Sequence, residues 1–221
     1  VSVSSIKYGS NSVTTASISN NTATNAGNYT ATITGSGNLS GSTTKSWSVN
    51  KANMSSCTIT MGAKTYNGSS QNASVSSVKL GGNSIGSANY SFTGTTSATN
   101  AGTYNVTFTG STNLTGTKDA SWTIGVCSDW SISLSATEFT FNGASQGPSV
   151  TVKIGSTTIG SSNYSVSGNS QTGASNYTLT VTGKTNLSGT RTGSWKIKNY
   201  TSDVTVALNN TSFTYTPNVS H

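Results

Sequence analysis

The side chains able to move protons, hold a metal or attack an electrophile are few and poorly placed. His221 is the only histidine and stands at the C-terminal end of the sequence. The acids are Asp119, Asp129, Glu138 and Asp203. Glycoside hydrolysis needs two carboxyl groups facing each other. Asp129 and Asp203 are instead 74 residues apart, the period of a repeat, so they occupy equivalent places in successive units. A nucleophilic serine needs a base beside it, and the many serines have no such partner. A calcium cage needs several carboxylates. No catalytic, cofactor-binding or metal-ligating residue is therefore expected, and no cofactor: the sequence does not read as an enzyme. Gly81-Gly82 and Gly35-Ser36-Gly37 look like phosphate loops but precede no helix, so they read as turns.

Charge adds little. Charged residues make up 7% of the chain, against about 25% in an average protein, and the formal net charge is +7. The cations are scattered, which suits a solvated surface better than a nucleic-acid groove interleaved with stacking aromatics. The nearest approach to a cluster is Lys184, Arg191, Lys196 and Lys198, which would suit an acidic surface such as a cell-wall polymer. No run approaches the roughly 20 apolar residues of a membrane-spanning helix. Cys57 and Cys127 each stand near the start of a repeat. That separation exceeds the roughly 7 Å Cα reach of a disulfide, so no bond within one chain is expected. Buried thiols and inter-chain pairing both remain open.

The elements that position these residues come from the repeat. Asn25-Ala-Gly-Asn-Tyr29, Asn38-Leu-Ser-Gly41 and Trp47 recur as Asn100-Ala-Gly-Thr-Tyr104, Asn113-Leu-Thr-Gly116 and Trp122. They recur again as Gly173-Ala-Ser-Asn-Tyr177, Asn186-Leu-Ser-Gly189 and Trp195. The tryptophans are 75 and 73 residues apart. A second marker, Tyr66-Asn-Gly68, Phe141-Asn-Gly143 and Tyr215-Thr-Pro217, is spaced by 75 and 74. That period is too long for a solenoid unit and suits a small sandwich of about seven short strands. Tyr104, Val106 and Phe108 alternate with Asn and Thr, as do Tyr29, Ala31 and Ile33, and Tyr177, Leu179 and Val181. One face of each strand is thus apolar and the other polar. No sustained helical period exists, so the fold is read as all-β. Tyr29, Trp47, Tyr104, Trp122, Tyr177 and Trp195 recur at inward-facing positions and read as structural core, not as a sugar-stacking platform.

These residues resemble the bacterial Ig-like modules of the MBG or YDG type. Tyr66-Asn67-Gly68, Tyr90, Asn100 to Tyr104, Gly110 to Gly116 and Trp122 to Ile124 carry the likeness. The third repeat departs from it: Gly102 aligns with Ser175 and Gly173 precedes it, so that turn is expected to be built differently. The resemblance implies tandem Ig-like β-sandwich modules in an elongated array. It also implies an extracellular stalk, fibre or adhesin element on a bacterial surface, in a secreted filament or on a phage particle.

The expected boundaries are 1–51, a partial module lacking its first strands; 52–125 and 126–199, complete modules; and 200–221, the opening strands of a further module. Aligning Tyr29 with Tyr104 sets Val1 opposite Ser76. The expected partners are neighbouring modules or other copies, and cell-surface glycan or host protein. Two explanations of the complementary ends stay open. The chain is a window on a longer array, or the strand carrying Val204, Val206, Leu208, Phe213 and Tyr215 completes the first module of another copy by strand addition. Asn28, Asn113 and Asn186 begin glycosylation sequons, which matter only in a glycosylating host.

Overall fold

The computed structural model describes residues 1–199, Ser212, Tyr215 and Pro217. It is all-β: strands make up 56% and helix is almost absent. Two compact units emerge. The first holds Val1–Ser128 together with Thr185–Ser188, and the second holds Asp129–Lys184 and the chain from Gly189.

The second unit shows what one full repeat builds. Ser131–Leu134, Val150–Ile154 and Thr157–Ile159 form a three-stranded sheet in that order. The other sheet runs Glu138–Thr140, Thr190–Lys198, Ser175–Gly183, Tyr164–Ser167. Neighbours are antiparallel, except that Glu138–Thr140 lies parallel to Thr190–Lys198. Alternation does the sorting: Leu179, Val181, Trp195 and Ile197 are buried while their strand neighbours are not. The second sheet packs on the first through Leu134, whose methyl lies 3.1 Å from the site of a Cβ on Gly193.

The second repeat, in the first unit, repeats this plan. Thr58–Met61, Val75–Leu80 and Asn83–Ser84 form one sheet. Tyr90–Gly94, Gly102–Gly110, Thr117–Gly125 and Lys64–Thr65 form the other, the last pairing again parallel. The Tyr/Phe-Asn-Gly marker proves to be an Asx turn. Asn67 Oδ1 accepts from Ser69 N–H at 3.0 Å and Asn142 Oδ1 from Ala144 N–H at 2.9 Å. Gly68 and Gly143 follow at φ +83° and +80°, where an L side chain is strained.

The first repeat has a hairpin, Ile6–Tyr8 with Asn11–Val13, and one sheet of Ala16–Ser19, Gly27–Gly35 and Ser42–Val49. Its hairpin Lys7-Tyr-Gly-Ser-Asn-Ser-Val13 matches Lys79-Leu-Gly-Gly-Asn-Ser-Ile85. The first repeat is thus three residues shorter before its tyrosine, and Val1 falls opposite Ala73, not Ser76. Two of the three missing residues fall where Ser87–Asn89 makes a 3-10 turn in the second repeat, and the third falls at Gly94.

Among the described residues no helix is long and apolar enough to cross a membrane. Of the strand expected to carry Val204, Val206, Leu208, Phe213 and Tyr215, only Tyr215 is among the described residues, and it is exposed.

Candidate functional site

The six recurring aromatics form three equal pairs across neighbouring strands. Tyr29 faces Trp47, Tyr104 faces Trp122, and Tyr177 faces Trp195. Ring centroids lie 4.9, 5.1 and 4.9 Å apart. Each tyrosine hydroxyl donates to the carbonyl four residues back: Asn25 at 2.7 Å, Asn100 at 2.6 Å, Gly173 at 2.7 Å. Each indole N–H donates to a carbonyl 27 residues back, on Asn20, Thr95 and Gly168. Trp122 and Trp195 are buried, whereas Trp47 and the three tyrosines are half-buried. The turn before Tyr177 is therefore built as in the other repeats. What changes there is one side chain: Gly173 stands where Asn25 and Asn100 stand.

That side chain matters because the turn asparagine is half of a clasp. Asn113, at the hairpin tip of the second repeat, accepts from Ala26 N–H at 2.7 Å and donates to Asn25 Oδ1 at 3.0 Å. Within the same unit, Asn186 accepts from Ala101 N–H at 2.6 Å and donates to Asn100 Oδ1 at 2.9 Å. An amide side chain carries both an acceptor and donors, so one asparagine closes both bonds. A third contact completes each clasp. Ala52 N–H donates to Asn113 O at 3.0 Å and Cys127 N–H to Asn186 O at 2.9 Å, as short parallel bridges bring Leu114 beside Ala52 and Leu187 beside Cys127. Both leucines are buried.

The tips are held in strained shape. Thr112 and Thr185, just before the clasp asparagines, have φ +50° and +53°, a conformation costing a β-branched residue about 1–3 kcal/mol. Thr112 Oγ1 donates to Ala88 O at 3.0 Å, which helps hold it there. In the first repeat that position is Gly37, at φ +65°, and Asn38 behind it is exposed.

The clasp also revises the sequons. Asn186 is 2% exposed and its Nδ2 is bonded to Asn100, so its side chain is not available to a glycosylating enzyme; Asn113 is half-buried, with its Nδ2 bonded to Asn25.

The first repeat offers a second feature, an open apolar face. The outer edge of Ser42–Val49 has no partner among the described residues, where the equivalent strands carry Lys64–Thr65 and Glu138–Thr140. Ile33, Trp47 and Val49 are half-buried, while their counterparts Phe108, Trp122 and Ile124 are buried. A groove of about 510 Å³ lies over Ile18, Ala31, Ile33 and Trp47.

Little else is grouped. Among the described residues no three His, Cys, Asp or Glu side chains lie close enough to hold a metal ion. Asp119 accepts from Thr107 Oγ1 on the neighbouring strand at 2.7 Å. Cys57 and Cys127 are buried without a disulfide, at places that are not equivalent. Cys127 donates to its hairpin as Ala52 does, whereas Cys57 matches Trp130: Lys118 Nζ donates to Cys57 O and Arg191 Nε to Trp130 O.

The basic cluster is mostly engaged. Arg191 lies 4.7 Å above the Trp130 ring. Lys196 pairs with Glu138 at 2.7 Å, and Lys198 pairs with its other oxygen. Hydrogen bonds from Lys196 and then Lys198 lower the Glu138 carboxyl from 4.5 to about 2. A depressed folded value stabilises above the unfolded one. The contribution is thus full above about pH 4.5 and is lost as pH falls toward 2. The Glu138→Gln variant is expected to lose less melting temperature across that window than the parent. The difference should be small, and smaller in salt, because the pairs are exposed.

A scan against protein-family models returns no match, and a search of curated proteins returns none either.

Proposed function

We propose that the chain is a non-enzymatic structural or adhesive element: a stalk or fibre of tandem Ig-like modules displayed outside a bacterial cell or on a phage particle. The observation that carries this reading is the recurrence of the asparagine clasp, Asn113 on Asn25 and Ala26, then Asn186 on Asn100 and Ala101. A turn and a hairpin tip that are complementary at two successive places, Asn25 with Asn113 and Asn100 with Asn186, form a joint that is used twice in this chain. Each joint combines direct hydrogen bonds with a buried leucine, so it resists separation without relying on salt-sensitive charge. The tyrosine hydroxyl bonded to a carbonyl four residues back has the form of the tyrosine corner of Ig-like sandwiches. The resemblance to MBG/YDG modules points the same way.

A spacer under tension should unfold module by module. In single-molecule stretching, each full repeat is expected to release roughly 25 nm, since about 74 residues extend by ~3.4 Å each. Two such steps support serial modules. One cooperative release of the whole chain would exclude them.

A further inference from the structure

Resting on the reading of serial modules, we propose that the two full repeats yield to tension in a fixed order, the second before the third. The order is set by the strand pair that joins the start of each repeat to its end. Lys64–Thr65 lies parallel to Thr117–Gly125 in the second repeat, and Glu138–Thr140 parallel to Thr190–Lys198 in the third. Parallel strands run the same way, so a chain that enters one and leaves by the other is pulled lengthwise. The strands must slide past each other, and the bonds between them share the tension. In a hairpin pulled at its open end, the same bonds would break one at a time.

Three differences separate the two pairs. The first is length, and its origin is in the sequence. Thr58 and Ser131 are equivalent, facing Lys79 and Lys153. From there to the aromatic marker the second repeat has nine residues, Thr58 to Tyr66, and the third has eleven, Ser131 to Phe141. In the second repeat the chain is still bound to the first sheet at Gly62, whose N–H donates to Ser74 O at 2.8 Å. In the third, Ser135 N–H makes the corresponding bond to Ser149 O at 3.0 Å. The additional residues let the third pair begin earlier: Lys196 N–H donates to Thr137 O at 3.0 Å, and three residues pair where two do in the second repeat. Both pairs end alike, with Tyr66 N–H on Gly125 O and Phe141 N–H on Lys198 O.

The other differences lie in the side chains. Phe139 meets Trp195 edge-on at 5.7 Å, whereas Lys64 stands at its place in the second repeat. Glu138 pairs across the strands with Lys196 at 2.7 Å and with Lys198, whereas Ala63 stands at its place. An exposed ion pair adds little at equilibrium. These two span the surface that slides, so both must break before the strands move. One contact favours the second repeat: Tyr66 is buried where Phe141 is exposed. It anchors only the last bond of its pair, against a longer ladder, an additional ring contact and two ion pairs.

The test is constant-force stretching of the full chain with about 20 Gly/Ser residues inserted between Gly81 and Gly82, which lengthens the step of the second repeat by roughly 7 nm. A Cβ on either glycine would meet nothing within 4 Å, so the insertion disturbs no packing. The longer step should precede the ordinary one in nearly every trace. Glu138→Gln should speed the ordinary step about two- to fivefold at the same force without changing its length. Phe139→Ala should speed it further. Val152→Ala, 0% exposed in the other sheet, should lower the urea midpoint more than Glu138→Gln yet leave the rate under force nearly unchanged, because the pair breaks before the core opens. A reversed or random order overturns the proposal. So does an unchanged rate in both Glu138→Gln and Phe139→Ala, or a larger effect from Val152→Ala. In all of these results two separate steps still appear, so the serial-module reading stands; a single release of the whole chain overturns both.

Discussion

Trp122→Ala should unfold the second repeat under conditions where the parent is stable, at a cost of about 3–5 kcal/mol. The indole is 1% exposed, packs tilted at 36° against Tyr104 and donates to Thr95 O at 2.7 Å. Truncation opens a cavity between the sheets, and it strands a carbonyl that the strand pairing does not satisfy. A single domain holds only about 5–15 kcal/mol in total, so the loss is a large share. The informative comparison is Trp47→Ala. Trp47 is half-buried on the open face, so its removal should cost roughly half as much, in proportion to the area it shields. Urea denaturation of both variants, followed by circular dichroism, checks the order. Equal losses would mean that the first repeat is covered after all.

The second large effect is expected at the clasp. Asn186→Ala removes the acceptor for Ala101 N–H and the donor to Asn100 Oδ1 together. Asn186 is 2% exposed, Ala101 is half-buried and Asn100 is exposed. An unsatisfied buried polar group costs about 1–3 kcal/mol, and of the two groups that lose their partner only the half-buried Ala101 N–H is shielded from water, since Asn100 is exposed. The expected loss is about 1–2 kcal/mol, read as a lower urea midpoint of the first unit, to which Thr185–Ser188 belong. Asn186→Asp keeps an acceptor for Ala101 but sets a carboxylate against Asn100 Oδ1, so it should recover little. Asn38→Ala, at the same hairpin position without a clasp partner among the described residues, should change the midpoint by less than about 0.5 kcal/mol, as exposed substitutions usually do.

Much of the fold was legible because strand alternation is a short-range signal. The runs Tyr104-Val106-Phe108 and Tyr177-Leu179-Val181 lie in strands Gly102–Gly110 and Ser175–Gly183 with Val106, Phe108, Leu179 and Val181 buried. The Trp-Ile pairs that close each full repeat are buried as alternation requires. The clasp was not legible, for a physical reason. Asn-Ala-Gly and Asn-Leu-Ser/Thr-Gly are each sufficient as turn formers, so neither demands a further explanation. The clue was that both recur with one period, and that the third repeat keeps the hairpin asparagine while losing the turn asparagine to Gly173. The turn itself did not change, because its conformation is fixed by backbone bonds and by Tyr177, not by the side chain at 173. The three-residue shortening of the first repeat was hidden because tyrosine and tryptophan markers lie on its far side.

The most direct test of the account is native-state hydrogen exchange at two amides, Ala26 and Ala101. Both lie in turns, outside the strand ladders, where an amide without a partner exchanges freely. The clasp predicts protection of both in the parent. It further predicts that Asn113→Ala frees Ala26 alone, and Asn186→Ala frees Ala101 alone, while the amides of Gly102–Gly110 stay protected. Fast exchange of Ala26 and Ala101 in the parent, or protection unchanged by the substitutions, would contradict the claim that Asn113 and Asn186 clasp the turns at Asn25 and Asn100.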